Sequence, residues 1–199
     1  MPQGPLRFRA YLYAVRMDTS ACEHHSFPEF GPLSNATWGG FLAENWATGA
    51  AELTWSIFFG GWPDEDSGVG FHIEAIPFTV PSWRELEGAY AECSEFGEPI
   101  EAYLFDDEHS NFEYVRIQAL HQVGATVRFA IDLAECEVDR VKVDPDEHTW
   151  ADIDPMRVVV DAEFEGVTVR TPEHRLADFI DTTGLVFDAS CNIYRLPGD

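Results

Sequence analysis

Lysine is almost absent from this chain of 199 residues, where it occurs once, as Lys142. Lysine and arginine together number 12, against 36 aspartates and glutamates, so the formal net charge is −24. A surface of that charge repels nucleic-acid phosphates and anionic membranes, and it attracts cationic partners instead. We therefore expect no nucleic-acid partner and no membrane partner, and a basic protein, a polyamine or a divalent metal is favoured.

Closely spaced cysteines and long apolar runs are also missing. The four cysteines lie far apart without a C-x-x-C pair, which excludes a zinc ribbon and a thioredoxin-type motif. No apolar run reaches the length of a membrane-spanning helix, and residues 1–17 read as a strand instead of a secretory signal. We expect a cytoplasmic protein whose reduced cysteines act as small core residues.

The motifs of common catalytic sites are absent as well. There is no Gly-x-Ser-x-Gly nucleophile elbow, and residues 68–70 (Gly-Val-Gly) lack the third glycine and the following helix of a phosphate-binding loop. The sequence therefore predicts no catalytic residue, no resident metal and no cofactor, and it favours a protein that is not an enzyme.

Alternating apolar residues recur along the chain and predict mainly β-structure. Leu53, Trp55, Ile57 and Phe59 share one face of an extended segment, as in a half-buried strand. Gly124 is expected in a turn between two strands, and Glu165-Gly166 is typical of a two-residue hairpin. The predicted strands are 6–14, 53–59, 71–80, 103–105, 112–120, 126–133, 157–164, 167–170 and either 185–187 or 193–196.

Two or three short helices are expected among these strands. Residues 82–93 begin with Ser-Trp-Arg-Glu, the form of a capping box, and continue with apolar residues at helical spacing. Residues 171–184 begin with Thr-Pro and end at a glycine, and a weaker pattern covers 34–46. The sequence predicts one domain, 1–199, of the α+β class and mostly β, with an antiparallel sheet, sandwich or partly closed barrel.

One pair of side chains has the spacing of metal ligands. His72 and Glu74 are two residues apart in a predicted strand, so both point to the same face. A metal-assisted hydrolase that uses His72 and Glu74 is therefore one alternative function. The wet face of any amphipathic strand produces the same pattern by chance, so a structural role for both residues is the competing interpretation.

Acidic clusters beside aromatic rings are the most distinctive feature, and each falls in a predicted connection between strands, where binding residues are often found. Carboxylates steer a basic partner toward such a surface, and a desolvated ring holds it there. The candidate partner-binding residues are Trp62, Asp64, Glu65, Asp66, Asp106, Asp107, Glu108, Asp146, Glu147 and Trp150.

The expected function is that of an acidic binding protein that neutralises or inhibits a basic protein partner. Immunity proteins and nuclease inhibitors act in this way, and the analogy here is one of charge and size only. A further alternative is a structural β-domain whose acidity reflects a salt-adapted or GC-rich proteome. The sequence leaves the oligomeric state open.

Overall fold

The computed structural model describes residues 34–60, 70–95, 97–106, 108–134, 155–171 and 175–198. In these ranges the chain is mostly β, and a 3-10 turn at Leu176–Asp178 is the one helical element described. The strands are β1 (Ser34–Glu44), β2 (Ala51–Gly60), β3 (Gly70–Ile76), β4 (Tyr90–Cys93), β5 (Glu101–Asp106), β6 (Glu108–Phe112), β7 (Tyr114–Val123), β8 (Thr126–Ala134), β9 (Met156–Val169), β10 (Val186–Asp188) and β11 (Ile193–Arg195).

All eleven strands belong to one sheet, in the order β4-β7-β8-β9-β1-β2-β3-β5-β6, with the β10–β11 hairpin attached to β9. Every ladder is antiparallel except the parallel pairing of β1 with β9. β6, at one end of the order, leads into β7, beside the other end, through Glu113 alone. Chain continuity thus joins the two ends of an open sheet, and the predicted mainly antiparallel β-fold is confirmed.

Large rings fill the concave side of the sheet and curl it. The ring centroids of Trp38 on β1 and Phe129 on β8 are 6.5 Å apart, although β9 lies between their strands. Phe78, which follows β3, also stacks on Phe129, at 6.5 Å. One continuous core therefore receives side chains from both halves of the sheet.

Three fully buried indoles each donate a hydrogen bond to a backbone carbonyl in a connection. Trp38 Nε1 donates to Ala125 O at 2.9 Å, in the β7–β8 turn. Trp55 Nε1 donates to Phe78 O at 3.0 Å, and Trp83 Nε1 donates to Thr183 O at 3.2 Å. Each indole thus satisfies its own polar atom and fixes a segment that belongs to no ladder.

Several predicted strands are confirmed, and their ends are set by glycines and register. β2, β5 and β8 cover the expected segments, whereas β3 ends at Ile76, before the end of the predicted strand 71–80. Gly124 has the positive φ, 61°, of the first position in a two-residue hairpin turn. The segment 112–120 is divided at Glu113 between β6 and β7. Both candidate C-terminal strands form, as β10 and β11, whereas residues 6–14 lie outside the described residues.

The predicted helices are wrong. Residues 34–44 of the predicted helix 34–46 form β1, where Gly39 approaches Gly166 so closely that an added Cβ would lie 2.8 Å from the Gly166 carbonyl oxygen. At 82–93 the turn after Ser82 stops because Leu86 N–H donates to the Gln122 side chain and Gly88 N–H donates to Ala119 O. Because these amides donate to residues distant in the chain, they are not available for a second helical turn.

Residues 171–184 likewise contain one 3-10 turn in place of the predicted helix, although 172–174 lie outside the described residues. Leu176 and Ile180 are buried, as an i, i+4 apolar pair predicts. Beyond them Asp181 N–H donates to Pro81 O at 2.8 Å, and Ser82 forms a bridge with Asp181. The segment is therefore pulled out of helical geometry by its contact with residues 81–83.

The predicted hairpin at Glu165-Gly166 is also wrong, because β9 runs without interruption from Met156 to Val169. Gly166 does have an unusual φ of 127°, and it produces a bulge in the ladder with β1. An added Cβ at Gly166 would lie 2.6 Å from Tyr194 O. The glycine is thus required by the close approach of β11, and no turn forms there.

The cysteine prediction holds for one of the two described cysteines. Cys93 is buried on β4, where burial raises the pKa of its thiol, whereas Cys191 is exposed beside the β10–β11 hairpin. Cys22 and Cys136 lie outside the described residues. Within the ranges given above, no helix has the length and apolar character needed to cross a membrane.

The core assignment predicts a sharp contrast between two tryptophans. Trp38→Ala leaves a large cavity and removes one of the two hydrogen bonds that Ala125 O accepts, so we expect the free energy of unfolding to fall by about 3–5 kcal/mol. Trp46→Ala removes a ring that is 96% exposed and should change it by less than about 0.5 kcal/mol. Urea denaturation monitored by circular dichroism measures both values, and equal losses would contradict the core described here.

Candidate functional site

The arginines of the described strands all lie on one half of the sheet, although Arg170, which follows β9, places its guanidinium over the Phe41 ring of β1. No lysine or arginine occurs on β1, β2, β3, β5 or β6, which are contiguous in the sheet, and none occurs between Ser34 and Trp83. We call these five strands the arginine-free half. They carry the carboxylates of Glu44, Glu52, Glu74, Glu101, Asp106 and Glu108.

On the other half of the sheet, arginines pair with acids across the ladders. Arg128 makes a bidentate pair with Asp161, at 2.8 and 2.7 Å, and Arg157 pairs with Asp132 at 3.2 Å. The remaining arginine pairs are Arg116–Glu92 and Arg195–Asp188. Exposed pairs of this kind contribute about 0–1 kcal/mol each, but they neutralise the local field. Negative charge is therefore concentrated on the arginine-free half.

A row of aromatic rings crosses the outer face of the arginine-free half. Phe58 on β2 lies 4.7 Å from His72 on β3, and His72 stacks on Tyr103 of β5, at 5.0 Å and 4° between the ring planes. The ladders place Phe58 opposite His72 and His72 opposite Tyr103, which is why the three rings meet. All three are partly exposed, so the row forms a strip of rings on the surface.

Two carboxylates lie directly opposite each other beside this row. Glu74 and Glu101 form a cross-strand pair between β3 and β5, and both are exposed. The Tyr103 hydroxyl donates to Glu74 Oε1 at 3.4 Å. Burial raises the pKa of the Tyr103 phenol, and the charges of Glu74 and Glu101 act in the same direction. We call Phe58, His72, Glu74, Glu101 and Tyr103 the aromatic–carboxylate face.

The predicted cluster at 105–108 lies at the end of the strand that carries this face. Phe105 is 36% exposed, and Asp106 pairs with Glu108 across the β5–β6 turn. Asp107 lies outside the described residues, as do Trp62, Asp64, Glu65, Asp66, Asp146, Glu147 and Trp150. The predictions for those eight residues remain predictions.

The described strands nevertheless fix where the three acidic connections leave the sheet. Residues 61–69 join Gly60 to Gly70, which pair with each other, and Gly70 pairs with Phe105 next to the β5–β6 turn. Residues 135–155 join the end of β8 to the start of β9, and β9 runs parallel to β1. All three connections therefore begin and end at the same end of the sheet.

His72 and Glu74 share one face, as predicted, and their use as metal ligands remains a prediction. His72 lies between two rings, and Glu74 contacts the Tyr103 hydroxyl. In the part of the chain that the structure describes, no three His, Cys, Asp or Glu side chains are grouped closely enough to hold a metal ion. The pair thus lies in an aromatic and acidic surface strip.

Sequence reasoning missed Phe58, Glu101 and Tyr103 as site residues. All three lie in or next to predicted strands, and alternation indicates their shared outward direction. Their meeting depends on the register of β3 against β2 and β5, which the pattern within each strand does not contain.

The comparisons with known proteins give no relative from which a function could be transferred: no family model, no curated protein and no solved structure matches the chain. The candidate site therefore depends on its own geometry and charge.

The electrostatics of the aromatic–carboxylate face are testable through Tyr103. Its phenol should titrate above the ordinary pKa of tyrosine, and Glu101→Gln should lower that pKa because one negative charge is removed. NMR of ¹³C-labelled tyrosine, assigned with Tyr103→Phe, measures the shift. Glu165→Gln, a change at an exposed residue of β9, is the matched control and should leave it unchanged. A normal pKa for Tyr103 would contradict the described geometry.

Proposed function

We propose that this chain is an acidic binding protein that neutralises a basic protein partner through its aromatic–carboxylate face. The observation that carries the proposal is the opposition of Glu74 and Glu101 on strands that bear no lysine or arginine. Like charges directly opposite on neighbouring strands destabilise a sheet. A cationic side chain from a partner relieves this repulsion, so binding and local stabilisation coincide.

The neighbouring rings support the same proposal. An arginine or lysine that pairs with Glu74 or Glu101 comes to lie beside Tyr103, whose ring offers a cation–π contact and apolar contact area. Aromatic rings are enriched among residues that dominate binding energy, and surrounding charge mainly sets the encounter rate. The strip therefore combines long-range attraction with a place where the partner is desolvated.

Charge analogy suggests the class of partner. An enzyme that binds phosphates has a cationic site, and carboxylates held on a rigid sheet occupy such a site in place of the phosphates. We therefore favour a basic nuclease-like protein, which the acidic chain would inhibit by covering its substrate-binding surface. The competing interpretation, a structural acidic β-domain, offers no role for the opposed pair of glutamates.

Affinity capture identifies the partner. The purified chain and the variant Glu74→Lys/Glu101→Lys serve as matched baits in lysate from the source cells, and mass spectrometry compares the retained proteins. We expect a basic protein that the unaltered chain retains and the variant does not. Identical sets of proteins on the two baits would contradict a role for the face.

Association kinetics with that purified partner give the quantitative prediction. Glu74→Lys/Glu101→Lys should slow association about tenfold or more at low salt and flatten its salt dependence, because steering by the face is lost. The control Glu85→Lys/Glu165→Lys has the same change in net charge at exposed positions outside the face. Stopped-flow rates that fall equally in both variants would show that only net charge matters and would exclude the face.

The turn next to the face has its own test. Charge reversal at Asp106 and Asp107 is expected to slow association with the same partner, since both residues belong to the acidic β5–β6 turn. Rates identical to those of the unaltered chain would remove this turn from the proposed surface while leaving the face in place.

A further inference from the structure

Trp46 is the most exposed large apolar side chain described in the protein, at 96%. It lies in the β1–β2 turn, at the end of the sheet opposite to the three acidic connections. Every other described tryptophan is buried and donates a hydrogen bond to the backbone. An indole fully open to water contributes nothing to the core and is available for contact with a partner.

The turn that carries Trp46 is well ordered by its own hydrogen bonds. Asn45 Oδ1 accepts from the N–H of Ala47 at 2.9 Å and of Thr48 at 3.3 Å, and Gly49 N–H donates to Asn45 O at 2.7 Å. Gly49 adopts the positive φ, 67°, that closes the turn. The indole is therefore presented on a fixed support, which lowers the entropic cost of using it in an interface.

An open groove of about 240 Å³ begins at the base of the same hairpin. Its apolar lining comes from Leu53, Phe78, Val80, Phe179 and Ile180, and Glu52 is the one charged residue that lines it. Phe179 is 36% exposed there. Glu52, which lines the groove, is hydrogen-bonded to Asn45, the residue before Trp46.

The groove also follows an unpaired strand edge. The last pair between β2 and β3 is Trp55 with Ile76, so residues 51–54 of β2 extend beyond the end of β3. In the described ladders these residues pair with β1 alone. An edge of this kind accepts an extended segment by main-chain hydrogen bonding, with alternate side chains directed into the adjoining groove.

Charge decides which segment fits. Glu44 and Glu52 flank the turn, Asn45 Nδ2 holds Glu52 Oε2 at 2.9 Å, and no lysine or arginine lies on β1, β2 or β3. With a net charge of −24, a second copy of this chain would be repelled. A cationic side chain is complementary both to the carboxylates and to the face of an indole, which is the strongest cation–π acceptor among side chains.

We propose that the Trp46 turn and its groove bind an extended basic segment of a partner protein, with an arginine or lysine over the indole beside Glu52 and an apolar neighbour in the groove. The inference rests on the proposed function, because it assumes a basic partner, and it adds a second contact surface at the β1–β2 turn. The chemistry recognised is a strand that alternates cationic and apolar side chains.

Calorimetry with three synthetic pentapeptides tests the inference. One alternates arginine with leucine, one arginine with serine, and one glutamate with leucine. We expect the first to bind with at least about tenfold higher affinity than either of the others. Trp46→Ala and Phe179→Ala should each weaken its binding about tenfold or more, whereas Phe187→Ala, at a side chain 48% exposed on β10, should leave it unchanged.

Every outcome separates the alternatives. No binding of the arginine–leucine peptide, or equal binding to Trp46→Ala with the fold preserved by circular dichroism, overturns the inference. Equal affinity for the serine peptide overturns the role of the groove, and equal affinity for the glutamate peptide overturns the role of charge. Glu74→Lys/Glu101→Lys should still bind the peptide. The experiment can therefore contradict the proposal for the Trp46 surface without contradicting the proposal for the aromatic–carboxylate face.

Discussion

The buried indoles hold the molecule together at the points where its sheet gives no support. A sheet curled around large rings gains apolar burial, but its connections leave polar backbone that must find partners. Trp38, Trp55 and Trp83 supply these partners from inside the core, one for each connection. The same side chains thus pack in the core of the curled sheet and donate hydrogen bonds to the connections between its strands. With shape and connections fixed from within, the outer surface is left free to vary in charge.

Charged residues are distributed unevenly over that outer surface. On β7, β8 and β9 acids and arginines alternate across the ladders and compensate one another, as at Arg128 and Asp161. On β3 and β5 two glutamates face each other, and no lysine or arginine occurs on those strands or on their neighbours β2 and β6. A proteome-wide bias toward acidic residues raises the charge everywhere, but it does not explain why five adjacent strands bear no arginine of their own, even though Arg170 contacts Phe41 of β1. Segregation, more than total charge, is what favours an interface.

Sequence patterns located strands well where the information was local. Alternation in 53–59 and the glycine at 124 are read directly, because period and turn geometry depend on neighbours in the chain. The capping box at Ser82 failed because Gln122 and Ala119, more than thirty residues away, take the amides that a helix would use. The bulge at Gly166 was mistaken for a hairpin for the same reason, since its cause is the approach of β11. The candidate face could not be predicted from the pattern within single strands. The register that places Glu74 opposite Glu101 is a property of a pair of strands.

The two acidic surfaces differ in what they can contribute to an encounter. The aromatic–carboxylate face lies on a rigid sheet and offers concentrated charge with rings that are already packed together, so its main effect is on approach and orientation. Trp46 offers a single large ring with no intramolecular contact to give up, so its effect is on how long a complex lasts. A partner that engages both surfaces gains affinity from the linked contacts through effective concentration. A folded basic protein with an exposed strand or tail can supply both contacts, whereas a small cation cannot.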